Sequence, residues 1–155
     1  LEEKFDVTII TQNIDDLHSR AGSKKIVHLH GEIMKSRSTL KPYKVYDIKG
    51  STLNYNDVCD MGAQLRPHIV WFGESVPNME LAYEITNKAD IFIVIGTSLT
   101  VYPAAGLVEF ARKECVKYVI DPDKISMGLM DGVEHIMMNA SEGTSILVKR
   151  LLESL

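Results

Sequence analysis

The chain has 155 residues, of which 45% are hydrophobic and 25% are charged, and its formal net charge is -4. These values are ordinary for a globular domain of this length. The charged residues form no basic block in the sequence, which argues against nucleic-acid binding. Apolar stretches such as residues 91–95 are far too short to cross a membrane, so we expect no membrane contact.

The two cysteines, Cys59 and Cys115, lie far apart in the sequence. They lack the close spacing of a metal-binding pair, and a chain of this length does not need a disulfide for stability. We therefore expect a reducing, cytoplasmic setting.

The first predicted strand, residues 6–11, runs into a polar cluster that contains Gln12, Asn13 and Asp15. Amide and carboxylate groups at the carboxyl end of a strand can hydrogen-bond an amide and sugar hydroxyls. The alternative is helix capping by Asn13, with acidic residues in the first turn of a helix that ends at Gly22. Taken alone, the spacing favours capping.

The second predicted strand, residues 26–30, ends at His30 and is followed by Gly31. A histidine in this position can present its imidazole in a cleft and titrate near neutral pH. The alternative is a surface histidine or a hydrogen-bonded core histidine, which is the commoner case for an isolated residue.

Residues 35–66 are polar and lack a helical period, which predicts a small insert beside the main sheet. Within it, residues 44–48 suit a short strand of a hairpin. After the insert, residues 68–72 predict a third strand around Trp71. An extended apolar segment of this kind can pair with a bound peptide. The alternative is a core strand in which the tryptophan fills the interior.

The fourth predicted strand, residues 91–95, is a short apolar run followed by Gly96, Thr97 and Ser98. Glycine permits close approach of the backbone to a ligand, and hydroxyl groups before a helix can hold phosphate or ribose. Ordinary turn chemistry is the alternative.

The fifth predicted strand, residues 117–120, ends at Asp121, whose carboxylate either accepts from ribose hydroxyls or begins a turn before Pro122. Residues 134–137 predict a sixth strand. Helical patterns lie between and after these strands at residues 82–89, 103–111 and 147–155. The alternation predicts an α/β fold with a parallel sheet that binds ligands at the carboxyl ends of its strands.

Four segments together resemble the sirtuin family of NAD-dependent protein-lysine deacylases. They read TQNIDDLHSRAG, VHLHGE, LRPHIVWFGE and ADIFIVIGTSLTVYPAAG, in the family's order and at similar distances. The third is similar to the bacterial and mitochondrial-type branch. The resemblance implies a Rossmann-like domain over residues 1–34 and 67–155, with helices on both faces of its sheet, and an insert subdomain over residues 35–66.

The resemblance implies an enzyme that uses NAD as co-substrate and an acyl-lysine protein or peptide as substrate. The acyl group passes from lysine to ADP-ribose, and nicotinamide is released. His30 would act as the general base on a ribose hydroxyl. Asn13 and Asp15 complete the implied catalytic set.

The resemblance also implies binding roles for individual residues. The implied NAD contacts are Gln12, Asn13, Ile14 and Asp15 on the nicotinamide side, and Gly96, Thr97, Ser98, Asp121 and Ala140 on the phosphate and adenosine side. The implied peptide contacts are Val70, Phe72, Gly73 and Glu74, which form an extended wall.

The chain departs from the family pattern at the zinc site. Relatives carry two cysteine pairs, and the corresponding positions fall near Ser38, Lys41, Asn56 and Cys59. One thiolate is too few for a closed structural zinc site, so we expect no zinc. We expect the insert to be held instead by packing of a short sheet that uses Tyr43, Val45, Tyr46, Ile48 and Leu53.

A second departure is the start of the chain, which lies after the family's Gly-rich phosphate turn and cofactor loop. We therefore expect a sheet that is incomplete at its N-terminus and weak NAD binding by the isolated chain. We also expect exposed apolar surface that favours homodimerisation or partial disorder.

Three alternatives remain open at this point. The chain is a module that binds NAD or ADP-ribose without catalysis, a protein ADP-ribosyltransferase with the same nicotinamide-displacing pocket, or an unrelated doubly wound α/β domain. His30 argues against the first, because a pure binding module has no evident need for a base. The joint occurrence of the four segments argues against the third.

Overall fold

The structure is a computed structural model that describes residues 1–97, 101–124 and 132–155. Contacts divide the chain into two compact units. The terminal unit comprises Leu1–Val7 and Met79–Leu155, and the central unit comprises Thr8–Asn78. Within the described residues, no helix is both long enough and apolar enough to cross a membrane. The predicted domain boundaries at residues 34 and 67 stay a prediction.

The central unit begins with two short parallel strands, β1 (Ile9–Thr11) and β2 (Ile26–His28), with Thr11 opposite His28. The helix α1 (Leu17–Arg20) lies between them in sequence. It ends near Gly22, whose φ of 89° places it in the left-handed region that favours glycine after a helix. The predicted strands are therefore present but shorter than the sequence pattern suggests.

A separate antiparallel sheet fills the rest of the central unit. Its strands are β3 (Gly31–Ser38), β4 (Val45–Asp47) and β5 (Leu65–Ile69), in the spatial order β4–β3–β5. The pairing of β3 with β5 shifts register between Glu32 and Ser36, as at a β-bulge. The predicted hairpin strand at residues 44–48 is confirmed as β4.

The prediction that residues 68–72 form a strand of the parallel sheet is wrong. The strand β5 ends at Ile69 and pairs antiparallel with β3, and its last partner is Gly31. Gly31 has a φ of 82°, so the chain before it turns out of the ladder. Residues after Ile69 therefore lose their strand partner.

The terminal unit contains a parallel sheet with the order β6–β7–β8. These strands are β6 (Ile91–Ile95), β7 (Val116–Ile120) and β8 (Val133–Ile136). The helices are α2 (Met79–Lys88), α3 (Leu107–Phe110), which follows a 3-10 turn at Ala104–Gly106, and α4 (Ala140–Glu153). The alternation confirms the predicted α/β class and the fourth to sixth predicted strands.

The helix α4 packs its apolar face onto this sheet. Ile120, Ile136, Leu147 and Leu151 form a buried cluster. The helix approaches so closely that a Cβ atom built on Gly143 would lie 2.4 Å from Cγ2 of Ile120. A glycine in the middle of a helix lowers its stability, and here the close approach gives a physical reason for it.

We predict that Leu147→Ala lowers the free energy of unfolding by about 2–5 kcal/mol, because Leu147 is only 1% exposed and its removal leaves a cavity. The matched control is Leu152→Ala in the same helix, where the side chain is 41% exposed and the expected loss is below about 1 kcal/mol. Urea denaturation followed by circular dichroism measures both. Equal losses would contradict the packing described for α4.

Candidate functional site

His30 lies just beyond the end of β2, and its ring is fixed by a backbone group. Its Nδ1 atom is 3.0 Å from the carbonyl oxygen of Gln12. Because a carbonyl oxygen can only accept, the geometry assigns the hydrogen of the neutral ring to Nδ1. The Nε2 atom then carries the lone pair. The half-buried ring is therefore oriented as a proton acceptor through Nε2.

The backbone around His30 is held on both sides. The amide of Leu29 donates to the carbonyl of Thr11 at 2.9 Å, and the amide of Val70 donates to the carbonyl of His30 at 2.9 Å. At Gly31 there is no room for a side chain, because a Cβ atom there would lie 2.0 Å from the carbonyl oxygen of His68. The position of the imidazole thus depends on β1, β2 and β5 together.

The polar cluster after β1 is tied to its surroundings through backbone groups. The amide of Asn13 donates to Oγ1 of Thr11 at 3.1 Å, and the amide of Ile33 donates to the carbonyl of Ile14 at 2.7 Å. The predicted capping role of Asn13 is wrong, because the amide of Leu17 donates to Oδ1 of Asp15 at 3.1 Å. Asp15 therefore holds the start of α1, while the side chain of Asn13 is exposed.

The residues predicted to face a peptide form a tight turn rather than a strand. The amide of Glu74 donates to the carbonyl of Trp71 at 3.0 Å, and Gly73 has a φ of 88°. Phe72 is fully exposed and Trp71 is more than half exposed. The interpretation of Trp71 as a core residue is therefore wrong, and the turn presents apolar side chains to solvent.

The carboxylate of Glu74 is the polar centre of this turn. It accepts from Nη1 of Arg66 at 2.6 Å, from Nη2 of Arg37 at 2.9 Å and from the amide of Trp71 at 3.1 Å. Hydrogen bonds from Arg66 and then from Trp71, together with the nearby positive charges, lower the pKa of Glu74 to about 2. The group is therefore ionised throughout the physiological range.

A cavity of about 90 Å³ lies beside this turn in the central unit, lined in part by His28, His68, Arg37 and Asn78. The Nδ1 atoms of His28 and His68 are buried without a hydrogen-bond partner among the described residues. Burial lowers the pKa of His68, and the charge of Arg37 lowers it further. Sequence reasoning missed Arg37, His68 and Asn78. The first two come together through the antiparallel pairing of β3 and β5, and Asn78 is held by the carbonyl of His28.

The other predicted NAD contacts follow the strands of the terminal unit. Gly96 follows β6 with a φ of 62°, and a side chain there would meet no described atom within 4 Å. Thr97 comes next, and Ser98 lies outside the described residues. Ala140 is exposed at the start of α4.

Asp121 follows β7, and two hydrogen bonds fix its conformation. Its Oδ1 atom accepts from the amide of Asp123 at 2.9 Å, and its carbonyl accepts from Nε2 of His135 at 3.0 Å. The first bond is the turn chemistry that the sequence offered as an alternative to ribose binding. His135, on β8, is a further residue that the sequence analysis did not single out.

Comparisons with known proteins identify the family and similar folds. Residues 1–103 match the Sir2 family. A NAD-dependent protein deacylase of Bacteroides thetaiotaomicron is 46% identical over 157 residues, which cover 98% of this chain and 67% of that protein. The crystal structure of a Sir2 homolog–NAD complex aligns with a TM-score of 0.81 at 33% identity, over 96% of this chain and 59% of that chain. A Sir2–p53 peptide–NAD+ structure aligns with a TM-score of 0.77 at 28% identity, over 97% of this chain and 66% of that chain.

The chain belongs to the Sir2 family. The sirtuin resemblance and the Rossmann-like α/β fold that the sequence predicts are confirmed. The chain spans about two thirds of the length of the curated relatives that it matches.

The four positions that the sirtuin resemblance implies for zinc do not fit a metal in this Sir2 chain. Oγ of Ser38 is 3.4 Å from Sγ of Cys59 and also accepts from the amides of Leu40 and Lys41, both at 3.2 Å. The hydroxyl is thus engaged in a turn. Lys41 and Asn56 are exposed, and Cys59 supplies the one thiol. In the described part of the chain, no three His, Cys, Asp or Glu side chains are grouped to hold a metal.

Polar contacts hold this region of the antiparallel sheet. Nζ of Lys44 lies 2.6 Å from Oδ2 of Asp60, and the hydroxyl of Tyr46 donates to Oδ1 of Asp60 at 2.5 Å. The hydrogen bonds from Lys44 and then Tyr46 lower the pKa of Asp60. The expected apolar packing is wrong for Tyr43 and Val45, whose side chains are exposed. Backbone hydrogen bonds hold the strands β3 and β4 together, and the contacts of Asp60 with Lys44 and Tyr46 fix the segment around Asp60 to β4.

We predict that Gly31→Ala destabilises the protein by at least about 2 kcal/mol more than Gly22→Ala. Both glycines have φ angles that disfavour alanine, but a Cβ atom meets no described atom within 4 Å at Gly22 and meets the carbonyl of His68 at Gly31. Thermal and urea unfolding of the two variants isolate the steric part of the effect. Similar losses in both variants would show that the backbone at His68 yields easily.

We predict that the purified protein holds far less than one zinc ion per chain and that a chelator leaves its thermal midpoint unchanged, because one thiol cannot form a closed zinc site. Metal analysis and thermal unfolding with and without chelator test this. Asp60→Asn should lower the midpoint, since Asp60 joins Lys44 to Tyr46. Stoichiometric zinc or a chelator-dependent midpoint would refute the prediction.

Proposed function

We propose that this Sir2 chain supplies the general base and much of the nucleotide site of an NAD-dependent protein-lysine deacylase. The observation that supports the proposal most directly is the hydrogen bond between Nδ1 of His30 and the carbonyl of Gln12. In this reaction the acyl group passes from lysine to ADP-ribose, and NAD supplies nicotinamide as the leaving group. Curated relatives at about 46% identity carry the name NAD-dependent protein deacylase.

The task of His30 is to accept a proton from a ribose hydroxyl at Nε2. The carbonyl of Gln12 keeps the other nitrogen protonated and points its negative end at it. That dipole also stabilises the cation that forms when the proton arrives, as a fixed acceptor does for other catalytic histidines. The ring does not need to reorient during transfer, because its backbone is held at Leu29 and at Val70.

The residues for NAD fit the chemistry of a dinucleotide. No described atom lies within 4 Å of a Cβ built on Gly96, which suits close approach of a phosphate to its backbone. Oδ1 of Asp121 accepts from the amide of Asp123, so Oδ2 is the atom that we assign to ribose hydroxyls, at the end of a parallel strand where such an acid suits them. We assign the phosphate and adenosine side to Gly96, Thr97, Ser98, Asp121 and Ala140, and the nicotinamide side to Gln12, Asn13, Ile14 and Asp15.

We assign the acyl-lysine peptide to the turn that contains Val70, Phe72, Gly73 and Glu74. The exposed aromatic ring of Phe72 on a turn with a defined conformation supports this assignment. A structural neighbour is a Sir2 complex with a p53 peptide and NAD+, which supports the same substrate class. The peptide backbone would pair with the exposed edge of the turn, as in β-augmentation.

We also propose a reducing, cytoplasmic setting. Cys59 and Cys115 are both free and buried, and two unpaired thiols of this kind persist where disulfides do not form. Homodimerisation stays a prediction, to be tested by the mass of the purified protein in solution.

We predict that His30→Ala lowers kcat for deacylation by a factor of about 100 or more, because removal of a general base typically costs this much. The variant should bind ADP-ribose within about three-fold of the unmodified protein, since His30 contributes a proton transfer rather than nucleotide affinity. Rates with acetyl-, succinyl- and longer acyl-lysine peptides and calorimetric titration with ADP-ribose provide the two measurements.

Mass spectrometry of the products decides between the deacylase and the alternatives. Loss of the acyl group together with O-acyl-ADP-ribose supports deacylation. A gain of ADP-ribose on protein would instead identify a transferase, and nucleotide binding without turnover would identify a binding module. Full activity of the His30→Ala variant would overturn the role of this residue.

A further inference from the structure

The two arginines that reach Glu74 lie directly opposite each other on neighbouring strands. Arg37 on β3 pairs with Arg66 on β5 in the antiparallel register. Like charges in this arrangement repel each other and destabilise a sheet. The carboxylate of Glu74 bonds to both guanidinium groups and offsets the repulsion. The two positive charges therefore favour the conformation in which the Glu74 carboxylate contacts Arg37 on β3 and Arg66 on β5.

The same guanidinium groups also hold the beginning of the turn. Nη2 of Arg37 donates to the carbonyl of Ile69 at 3.0 Å, and Nη2 of Arg66 donates to the same carbonyl at 3.3 Å. Ile69 is the last residue of β5, and Glu74 closes the turn that follows. Arg37 and Arg66 thus connect both ends of the turn at residues 69–74 to two strands.

This turn is joined directly to the segment that carries His30. The amide of Val70 donates to the carbonyl of His30 at 2.9 Å. Farther along, Nδ2 of Asn78 donates to the carbonyl of His28 at 2.8 Å. A change in the turn at residues 69–74 would therefore move the proposed peptide-binding atoms relative to the imidazole.

Apolar packing does not account for the conformation of the turn. Phe72 is fully exposed and Trp71 is more than half exposed, so neither ring is anchored in a core. Arg37, in contrast, has a side chain that is only 12% exposed. A nearly buried guanidinium with two oxygen partners is a strong and directional anchor.

We propose that Arg37 and Arg66 are positioning residues for deacylation, which act through Glu74 to hold the peptide-binding turn in register with His30. The inference rests on the proposed function, because it assigns the acyl-lysine peptide to this turn. It adds a role for two arginines that contact neither nucleotide nor peptide in the proposed assignment. It also changes the role of Glu74, which acts as the partner of the arginines rather than as a direct ligand of the peptide.

The test measures peptide binding rather than turnover, in the full protein with ADP-ribose present. The probe is a fluorescein-labelled acetyl-lysine peptide, and its affinity is read by anisotropy. Glu74→Gln and Arg37→Met should each weaken peptide binding about ten-fold, while the affinity for ADP-ribose changes less than about two-fold. The Arg37→Met, Glu74→Gln double variant should bind about as weakly as either single variant, because both changes break one cluster.

The single tryptophan gives an independent readout of the turn, because Trp71 donates its amide to Glu74. In Glu74→Gln, which keeps the shape of the side chain, Trp71 emission should shift to longer wavelength and acrylamide quenching should increase. Asp60→Asn is the matched control. It breaks the ion pair with Lys44 and should leave both the emission and the peptide affinity unchanged.

The outcomes separate this inference from the proposed function. Unchanged peptide affinity and unchanged Trp71 emission in Glu74→Gln and Arg37→Met would overturn the positioning role alone. Equal weakening of peptide and ADP-ribose binding would also overturn it, because it would indicate a general loss of structure. If the unmodified protein binds no acetyl-lysine peptide, both the positioning role and the deacylase proposal fail.

Discussion

The hydrogen bond between Nδ1 of His30 and the carbonyl of Gln12 is the interaction on which the rest of the central unit depends. It joins the ends of two parallel strands, so it forms only when β1 and β2 pair in the observed register. A shift by one residue would turn the imidazole to the other face of the sheet. The left-handed conformation of Gly31 then directs the chain out of β2 and into β3. The orientation of the His30 ring and a change of sheet are therefore set within two residues.

In the cluster of Arg37, Arg66 and Glu74, the repulsion between two cross-strand arginines is linked to the conformation of the turn that carries Glu74. Two arginines opposite each other would weaken an ordinary antiparallel sheet. Here a carboxylate from the turn that follows β5 relieves the repulsion, so the stability of the sheet and the conformation of the turn are coupled. Local conflicts of this kind are expected where a protein binds or reacts.

Much of the terminal unit could be predicted from the sequence, because its strands are local apolar runs. Residues 91–95 predict β6 with the bounds that the structure gives. The central unit is harder to predict from sequence, because β3 has the polar sequence GEIMKSRS and is stabilised as a strand by its partners β4 and β5. The same reason explains the misplaced strand at residues 68–72. Periodicity reports which face of an element is buried, and it does not report pairing between distant polar segments.

In the candidate site, too, the sequence indicates features that depend on neighbouring residues and misses contacts between distant segments. Motifs identified His30, and the structure added the tautomer through Gln12. Asp15 rather than Asn13 holds the start of α1, a difference that depends on where the helix begins and not on composition. The partners of Glu74 could not be deduced from spacing, because Arg37 and Arg66 are far apart in the sequence.

In the region of Ser38 and Cys59, hydrogen bonds join groups that come from different parts of the chain. A structural metal holds loops together by gathering several ligands at one point. Here the hydroxyl of Ser38 contacts the amides of Leu40 and Lys41 and the thiol of Cys59. The carboxylate of Asp60 contacts Lys44 and Tyr46. Each contact is weaker than a metal–thiolate bond, but both clusters lie on or beside an antiparallel sheet that already fixes the strands. The polar contacts therefore act mainly on the connections between strands, where each hydrogen bond contributes about 0.5–1.5 kcal/mol.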